Sequence, residues 1–385
     1  MTAFKTCQLA VRGESFDAST GSAQAKLRAN GCDSASTFVT ASSITPVTLL
    51  TGFLGSGKTT LLNRLLKHPS MQETAVLINE FGAVSIDHLL VREASENIMV
   101  MSNGCICCSV AGDLVQALRE LYFKRANNEI PDFKRVVIET TGLADPAPIM
   151  HTLIEMPLVA ARYSFSGIVT TVDAVHGEQQ LNDHFESVKQ AAVADRIVLT
   201  KTDSATRQQI DQLRTRLLAL NPGADVYEAV AGEIAPEILF DTGLYQPARK
   251  TPDVQHWLRA EAYRPLPLQG LLSARIAPHR HDERIRAFVV SFSEPVAWQA
   301  LIDALELLTS FRGEHLLRIK GIVNVAGEPV PRVIHAVQHT IYPAATLSAW
   351  PDNDRSTRLV FITRDLDEAF VRQTLTGFIA ETIPA

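Results

Sequence analysis

The stretch Gly52-Phe53-Leu54-Gly55-Ser56-Gly57-Lys58-Thr59 constrains this chain more than any other. It fills every fixed position of the phosphate-cradling pattern GxxxxGK[ST]. Val47-Thr48-Leu49-Leu50 ahead of it is a short apolar run of the kind that forms a buried parallel strand. Behind it, Thr60-Leu61-Leu62-Asn63-Arg64-Leu65-Leu66-Lys67 sets leucines at helical spacing, and His68-Pro69 stops the helix. A loop joining strand to helix is the context the pattern needs. Glycines let backbone N–H groups curl round a phosphate where a Cβ would clash. The helix N-terminus adds partial positive charge. In that frame Lys58 reaches the β- and γ-phosphates and the Thr59 hydroxyl ligates Mg²⁺. Gly52, Gly55, Ser56, Gly57 and Thr60 complete the cradle.

The rest of the chain sets the bounds. Its 385 residues suggest two domains, with room for a third. At 46% hydrophobic and 20% charged it is a globular chain with a sizeable core. A net charge of −6 speaks against a general nucleic-acid binder. No apolar run reaches the roughly 18 residues that cross a bilayer, and the N-terminus has no apolar signal core, so a cytoplasmic location is expected. Three of the five cysteines bunch at Cys105, Cys107 and Cys108, a poor disulfide framework that suits a reducing compartment. Residues 1–44 are Ala-, Ser-, Thr- and Gly-rich without periodicity and read as a disordered or weakly ordered extension. Cys7 and Cys32 within it read as incidental thiols.

From Thr45 onward short apolar runs alternate with helical patterns. The runs are Ala75–Ile78, Ile98–Met101, Val136–Ile138, Ile168–Val172 and Ile197–Leu199. The helical stretches include Asp113–Ala126 and Ser187–Ala194. This alternation predicts a mostly parallel sheet flanked by helices, the P-loop NTPase form of the α/β class, with ligands at the carboxyl ends of the strands. Each polar motif below directly follows one of these runs. After the second strand comes Asn79-Glu80-Phe81-Gly82-Ala83-Val84-Ser85-Ile86-Asp87. Here Glu80 and Asp87 are candidates to ligate metal or position water, against the plainer reading of a solvated turn with a helix cap. Next is Asn103-Gly104-Cys105-Ile106-Cys107-Cys108. Thiolates are soft ligands suited to Zn²⁺, Cu⁺ or Co²⁺. In a straight strand Cys105 and Cys107 face opposite Cys108, so a turn is needed for convergence, and Glu80, water or a client side chain is the candidate fourth ligand. Buried structural thiols and a redox site are the alternatives.

Glu139-Thr140-Thr141-Gly142-Leu143-Ala144-Asp145-Pro146 follows Val136–Ile138. Glu139 is placed to hold Mg²⁺ through water, and the Gly142 N–H to touch the γ-phosphate, so that hydrolysis releases the loop. The alternative is an ordinary strand exit capped by Asp and Pro. Finally Thr200-Lys201-Thr202-Asp203 follows Ile197–Leu199. An Asp there accepts two hydrogen bonds from guanine N1–H and N2–H₂, which adenine does not offer, and the Lys201 stem lies along the base. Asp173 ends another strand and reads as structural, with a switch role as the alternative.

Together these motifs resemble the CobW-type P-loop GTPases, a family that includes proteins of cobalamin synthesis, nitrile-hydratase activators and zinc chaperones. The resemblance runs from about Thr45 to the C-terminus, with the Gly-Cys-Ile-Cys-Cys element its most specific part. It implies that Cys105, Cys107 and Cys108 bind a transition metal, Zn²⁺ or Co²⁺. It implies too that GTP binding and hydrolysis control transfer of that metal to a client metalloprotein or metallocofactor enzyme. Thr200 departs from the Asn of many GTPases, which puts one side-chain contact near the base in question. Ala83 stands where many relatives have Glu. Pro278-His279-Arg280-His281 is all that stands for a long His-rich tract.

Residues 45–250 read as the GTPase domain, with a helix over Gln208–Leu220 and a turn at Asn221-Pro222-Gly223. Residues 251–284 read as a linker containing Trp257. Residues 285–385 read as a smaller α/β domain, antiparallel or mixed. Its strands are Arg286–Phe292, Leu316–Val325, Val333–Val337 and Arg358–Ile362, and its helices Val296–Ser310 and Leu366–Leu375. It carries no catalytic constellation, so its expected task is to cover the nucleotide domain or recognise a client. Arg318-Ile319-Lys320-Gly321 matches the C-terminal domain of the resembled family. The expected activity is slow GTP hydrolysis, because no arginine finger is evident. The rival classes are a P-loop phosphotransferase and a non-catalytic nucleotide- and metal-sensing scaffold. The sequence gives no oligomeric state, and a homodimer stays open.

Overall fold

Parallel strands buried on both faces must be apolar nearly throughout, and the first half of the chain is built from such runs. The computed structural model describes residues 44–79, 99–103, 110–240 and 284–381. Glu80 to Asp87, Gly104 to Cys108, Trp257 and Pro278 to His281 therefore lie outside the described residues. Seven strands, β1 (Thr45–Gly52), β2 (Thr74–Asn79), β3 (Met99–Asn103), β4 (Arg135–Glu139), β5 (Tyr163–Asp173), β6 (Arg196–Thr200) and β7 (Asp225–Glu228), form one parallel sheet of order β3-β2-β4-β1-β5-β6-β7. Between them run α1 (Lys58–Leu66), α2 (Val110–Ala126), α3 (Ala147–Glu155), α4 (Pro157–Ala160), α5 (Gly177–Asp183), α6 (Phe185–Val193) and α7 (Arg207–Leu220), with α8 (Pro236–Phe240) after β7.

Alternation along each strand splits the core in two. Val47, Leu49, Val136 and Ile138 face Leu114, Leu118, Ile149 and Leu153 of α2 and α3. Leu50, Val137, Val169 and Val198 face Leu61, Leu62 and Leu65 of α1. Two strands depart from the sequence expectation. β5 begins at Tyr163 rather than Ile168, because Tyr163 and Phe165 are buried while Ser164 and Ser166 are only half-buried, an alternation rather than an apolar run. β7 is half-buried at all four positions and carries no apolar run at all.

The C-terminal part comprises β8 (Ile285–Phe292), α9 (Trp298–Arg312), β9 (Leu316–Val323), β10 (Arg332–Val337), β11 (Thr340–Ile341), β12 (Ala345–Thr346), β13 (Thr357–Arg364) and α10 (Glu368–Glu381). Its sheet is antiparallel, of order β11-β10-β9-β13-β8, with β12 on β10. One face packs under α9 and α10 through Phe288, Val290, Ile319, Leu359 and Phe361. On the other face Leu317 and Ile362 pack on Val188, Ala191, Leu213 and Leu217 of α6 and α7. Val337 and Tyr342 join the α2–α3 core, where Tyr342 stacks on Phe165 at 6.2 Å between ring centres. All eight residues of β9 are consequently buried.

A charged cluster fastens this packing. Asp195, Arg318 and Lys320 are each at most 5% exposed. Arg318 donates to the Val193 carbonyl and pairs with Asp195, whose Oδ1 also lies 3.1 Å from Lys320 Nζ. Asp195 Oδ2 accepts the Ile168 N–H at 2.9 Å. Burial opposes the Asp195 charge, but Arg318 and Lys320, with that N–H, win and pull its pKa down to about 2. A carboxylate depressed on folding stabilises above its ordinary pKa and loses that contribution as pH falls through the folded value. The window therefore runs from about pH 4 down to about pH 2, for about 2 kcal/mol. Urea midpoints measured across that window are expected to fall steeply for the wild type and more shallowly for Asp195→Asn.

Candidate functional site

Every strand of the parallel sheet ends on one edge, and the phosphate loop leaves the central strand there. At Gly52 (φ +143°) a Cβ would lie 2.3 Å from Thr171 Oγ1 and 2.4 Å from the Thr171 carbonyl, so β1 turns tightly against β5 only with glycine. Gly57 caps α1 in the left-handed conformation at φ +86°. The Ser56 hydroxyl is fully buried, 2.7 Å from Thr171 Oγ1, and shapes the loop from within. Lys58 folds back over the loop, donating to the carbonyls of Gly52 at 2.9 Å and Phe53 at 3.2 Å. Leu54, Gly55 and Thr60 are exposed on its outer side.

The structure brings Thr59 and Glu139 together across eighty residues of chain: Thr59 Oγ1 donates to Glu139 Oε1 at 2.6 Å. A hydroxyl and a carboxylate side by side at the foot of a phosphate loop are hard oxygen donors, a set that fits Mg²⁺. Beyond Glu139 the chain passes under the loop. A Cβ at Gly142 would meet the Leu54 backbone at 2.6 Å from N and 2.7 Å from Cα. Gln190 of α6 holds this segment, donating to the carbonyls of Gly142 at 3.1 Å and Ala144 at 3.0 Å. Thr140 Oγ1 donates to Thr51 Oγ1 at 2.8 Å.

The loop after β6 is tied to the same cradle. The Thr200 hydroxyl donates to the Ser56 carbonyl at 2.7 Å, so the departure from Asn noted in the sequence supplies a tie to the phosphate loop with a shorter side chain. Lys201, at φ +55°, sends Nζ to the Gly55 carbonyl at 2.8 Å and to Asp173 Oδ2 at 2.7 Å. Asp173 is buried. Burial works against its charge, yet Lys201, the backbone N–H groups of Val175 and His176, and the His176 ring hold its pKa below the usual carboxylate value. Asp173 thus positions the Lys201 stem. Asp203 is exposed beside this loop, accepting from the Ser204 hydroxyl at 3.1 Å. The Thr202 hydroxyl donates to the Ala229 carbonyl at 3.3 Å, which brings the loop after β7 alongside.

β2 and β3 exit at the same level, Asn79 opposite Asn103, and β2 pairs with β4 up to Glu139. At about 4.8 Å per strand, the end of β3 stands about 14 Å across the sheet from β1, and β6 about 10 Å on the other side. Among the described residues no three His, Cys, Asp or Glu side chains gather into a metal site. Glu80, Asp87, Cys105, Cys107 and Cys108 are outside them. Sequence reasoning missed Gln190, Thr171 and Lys189, which pairs with Asp145 in the segment after β4. A glutamine set among the alanines and valines of α6 was the available signal for the first, and the fold buries it to 1% exposure.

A phosphate loop with its lysine and threonine, a carboxylate on the neighbouring strand and an all-parallel sheet define a P-loop nucleoside-triphosphate-binding protein. The chain belongs to the CobW family. Residues 46–228 match the CobW/HypB/UreG nucleotide-binding domain and residues 285–379 the cobalamin synthesis protein CobW C-terminal domain. The zinc chaperone YjiA of Escherichia coli is 36% identical over 334 residues, 86% of this chain and 98% of its own. The zinc chaperone CobW of a Sinorhizobium species is 30% identical over 369 residues, 87% of this chain and 97% of its own. The crystal structure of the Zn(II)-bound YjiA GTPase from E. coli aligns with a TM-score of 0.65 at 30% identity, over 87% of this chain and 99% of that one. Among the described residues no helix is long and apolar enough to cross a membrane.

Proposed function

We propose that this chain is a GTP-hydrolysing metallochaperone that delivers Zn²⁺, or Co²⁺, to a client metalloprotein or cofactor pathway in the cytoplasm. The observation that carries this reading is the Thr59–Glu139 hydrogen bond, set on a strand one removed from the strand that leads into Gly-Cys-Ile-Cys-Cys. The zinc-chaperone names of the relatives and the zinc-bound E. coli structure support it.

In this reading Lys58 leaves the Gly52 and Phe53 carbonyls for the β- and γ-phosphate oxygens of GTP. Thr59 and Glu139, with Asp87 as a further candidate, would hold Mg²⁺, which neutralises charge on the phosphate oxygens when bound. Glu80 and Glu139 orient water. Gly142, packed on the loop, follows the γ-phosphate. Asp203 accepts from guanine N1–H and N2–H₂, and the Lys201 stem, fixed by Asp173, backs the base. Cys105, Cys107 and Cys108 hold the cargo metal as thiolates.

The direct test is anaerobic purification and elemental analysis with and without a non-hydrolysable GTP analogue. About one Zn or Co per chain is expected, with occupancy that changes with the analogue and is lost in Cys107→Ala/Cys108→Ala. Full metal content in that double variant would refute the thiol assignment. A second expected outcome concerns the base. Removing a carboxylate that accepts two hydrogen bonds, Asp203→Ala, is expected to weaken GTP binding roughly 100-fold and ATP binding little, as titration with both nucleotides will show.

A further inference from the structure

We propose that the C-terminal domain reads the state of the nucleotide-sensing loop through a contact between Gln338 and Asp145. This rests on the reading of residues 139–146 as a loop that follows the γ-phosphate. Asp145 stands three residues beyond Gly142, and its two carboxylate oxygens serve different elements. Oδ1 accepts the Ala147 N–H at 3.1 Å and starts α3. Oδ2 pairs with Lys189 of α6 and accepts from Gln338 Nε2 at 3.2 Å. Gln338 lies 193 residues further along the chain, in the hairpin between β10 and β11. The same hairpin reaches the helix that Asp145 starts: His151 Nδ1 is 3.0 Å from Thr340 Oγ1. One loop of the C-terminal domain therefore touches both the sensing loop and the element that loop launches.

Two features separate this contact from ordinary domain packing. Docking of the domain is carried by Leu317 and Ile362 on α6 and α7, by Asp195 with Arg318 and Lys320, and beside the hairpin by the apolar Val337 and Tyr342 in the α2–α3 core, none of which calls for an amide aimed at Asp145. Gln338 is also held at φ +50°, a conformation that non-glycine residues adopt rarely and at a cost, with its N–H fixed on the Leu316 carbonyl at 2.8 Å. The hairpin is thus a set backbone that presents one amide to one carboxylate. A shift of Gly142 with the γ-phosphate displaces Asp145 against Gln338. Linkage makes the effect reciprocal: whatever moves the hairpin changes the preference for GTP over GDP.

The test compares the wild type with Gln338→Asn, which keeps tolerance of the left-handed backbone but is one methylene too short to reach. Direct binding of GDP and of a non-hydrolysable GTP analogue is measured first, then hydrogen exchange of residues 332–341 in each state. The ratio of the two nucleotide affinities is expected to shift about 5-fold in the variant. The state-dependent exchange of the hairpin seen in the wild type is expected to vanish. Thr340→Val, which removes the second contact, is expected to shift the ratio in the same direction. An unchanged ratio together with unchanged exchange differences overturns the proposal while leaving the GTPase reading intact. A wild type that binds neither nucleotide overturns both.

Discussion

Gly142→Ala is expected to lower kcat/KM for GTP roughly 100-fold while leaving the protein folded. The added methyl has nowhere to go, since its position is 2.6 Å from the Leu54 N and 2.7 Å from the Leu54 Cα, both backbone atoms of the phosphate loop. A flexible side chain would swing aside, but backbone must shift, and a displacement near 1 Å at a reacting phosphate is enough for an effect of that size. The stability cost is expected to be about 1–3 kcal/mol, the usual range for overpacking. Phosphate-release kinetics beside a urea titration measure both. Gly327→Ala is the control. It sits at φ +82° with nothing within 4 Å of the new methyl, so it carries only left-handed strain, about 1 kcal/mol. Turnover is expected to be unchanged. Equal loss of turnover in both variants would show that Gly142 has no special place beside the phosphate loop.

The largest expected loss of stability belongs to Asp195→Ala. It removes the carboxylate that both Arg318 and Lys320, almost fully buried, lie against, and leaves the Ile168 N–H without that acceptor. Breaking a buried ion pair from one side costs about 3–5 kcal/mol, a large part of the about 5–15 kcal/mol typical of a domain. Denaturant unfolding at pH 7 measures it. Replacing the three charges by Asp195→Leu, Arg318→Met and Lys320→Met is expected to recover part of that loss, because the ion pairs of Asp195 are then removed from both sides. If the single variant unfolds at the wild-type midpoint, the cluster contributes nothing to the junction.

The parallel sheet was legible because its strands are buried on both faces: Val136–Ile138 and Ile197–Leu199 are apolar without interruption and form the centres of β4 and β6. β7 escaped because Asp225–Glu228 is half-buried at every position and offers no run to read. The phosphate loop declared itself, since its glycines and Lys58 are fixed by local backbone geometry. What holds the segment after β4, which packs against that loop, did not. Gln190, Lys189 and Gln338 act on a segment 44 to 193 residues away, and no local spacing announces a hydrogen bond of that range. The C-terminal domain shows the same limit. Arg318 and Lys320 read as part of a family motif, and only the packing reveals that they clamp Asp195 in the turn between α6 and β6.

The outermost position of β3 has its own consequence. Among the described residues β3 has no neighbouring strand on its far side, while the phosphate loop leaves a strand three places inward and the Thr200–Asp203 loop, the proposed base site, leaves one two places beyond that. Under the proposed function, metal handover beyond β3 and nucleotide exchange at β1 and β6 fall at separate places along one sheet edge, so unloading and refuelling need not queue at one doorway.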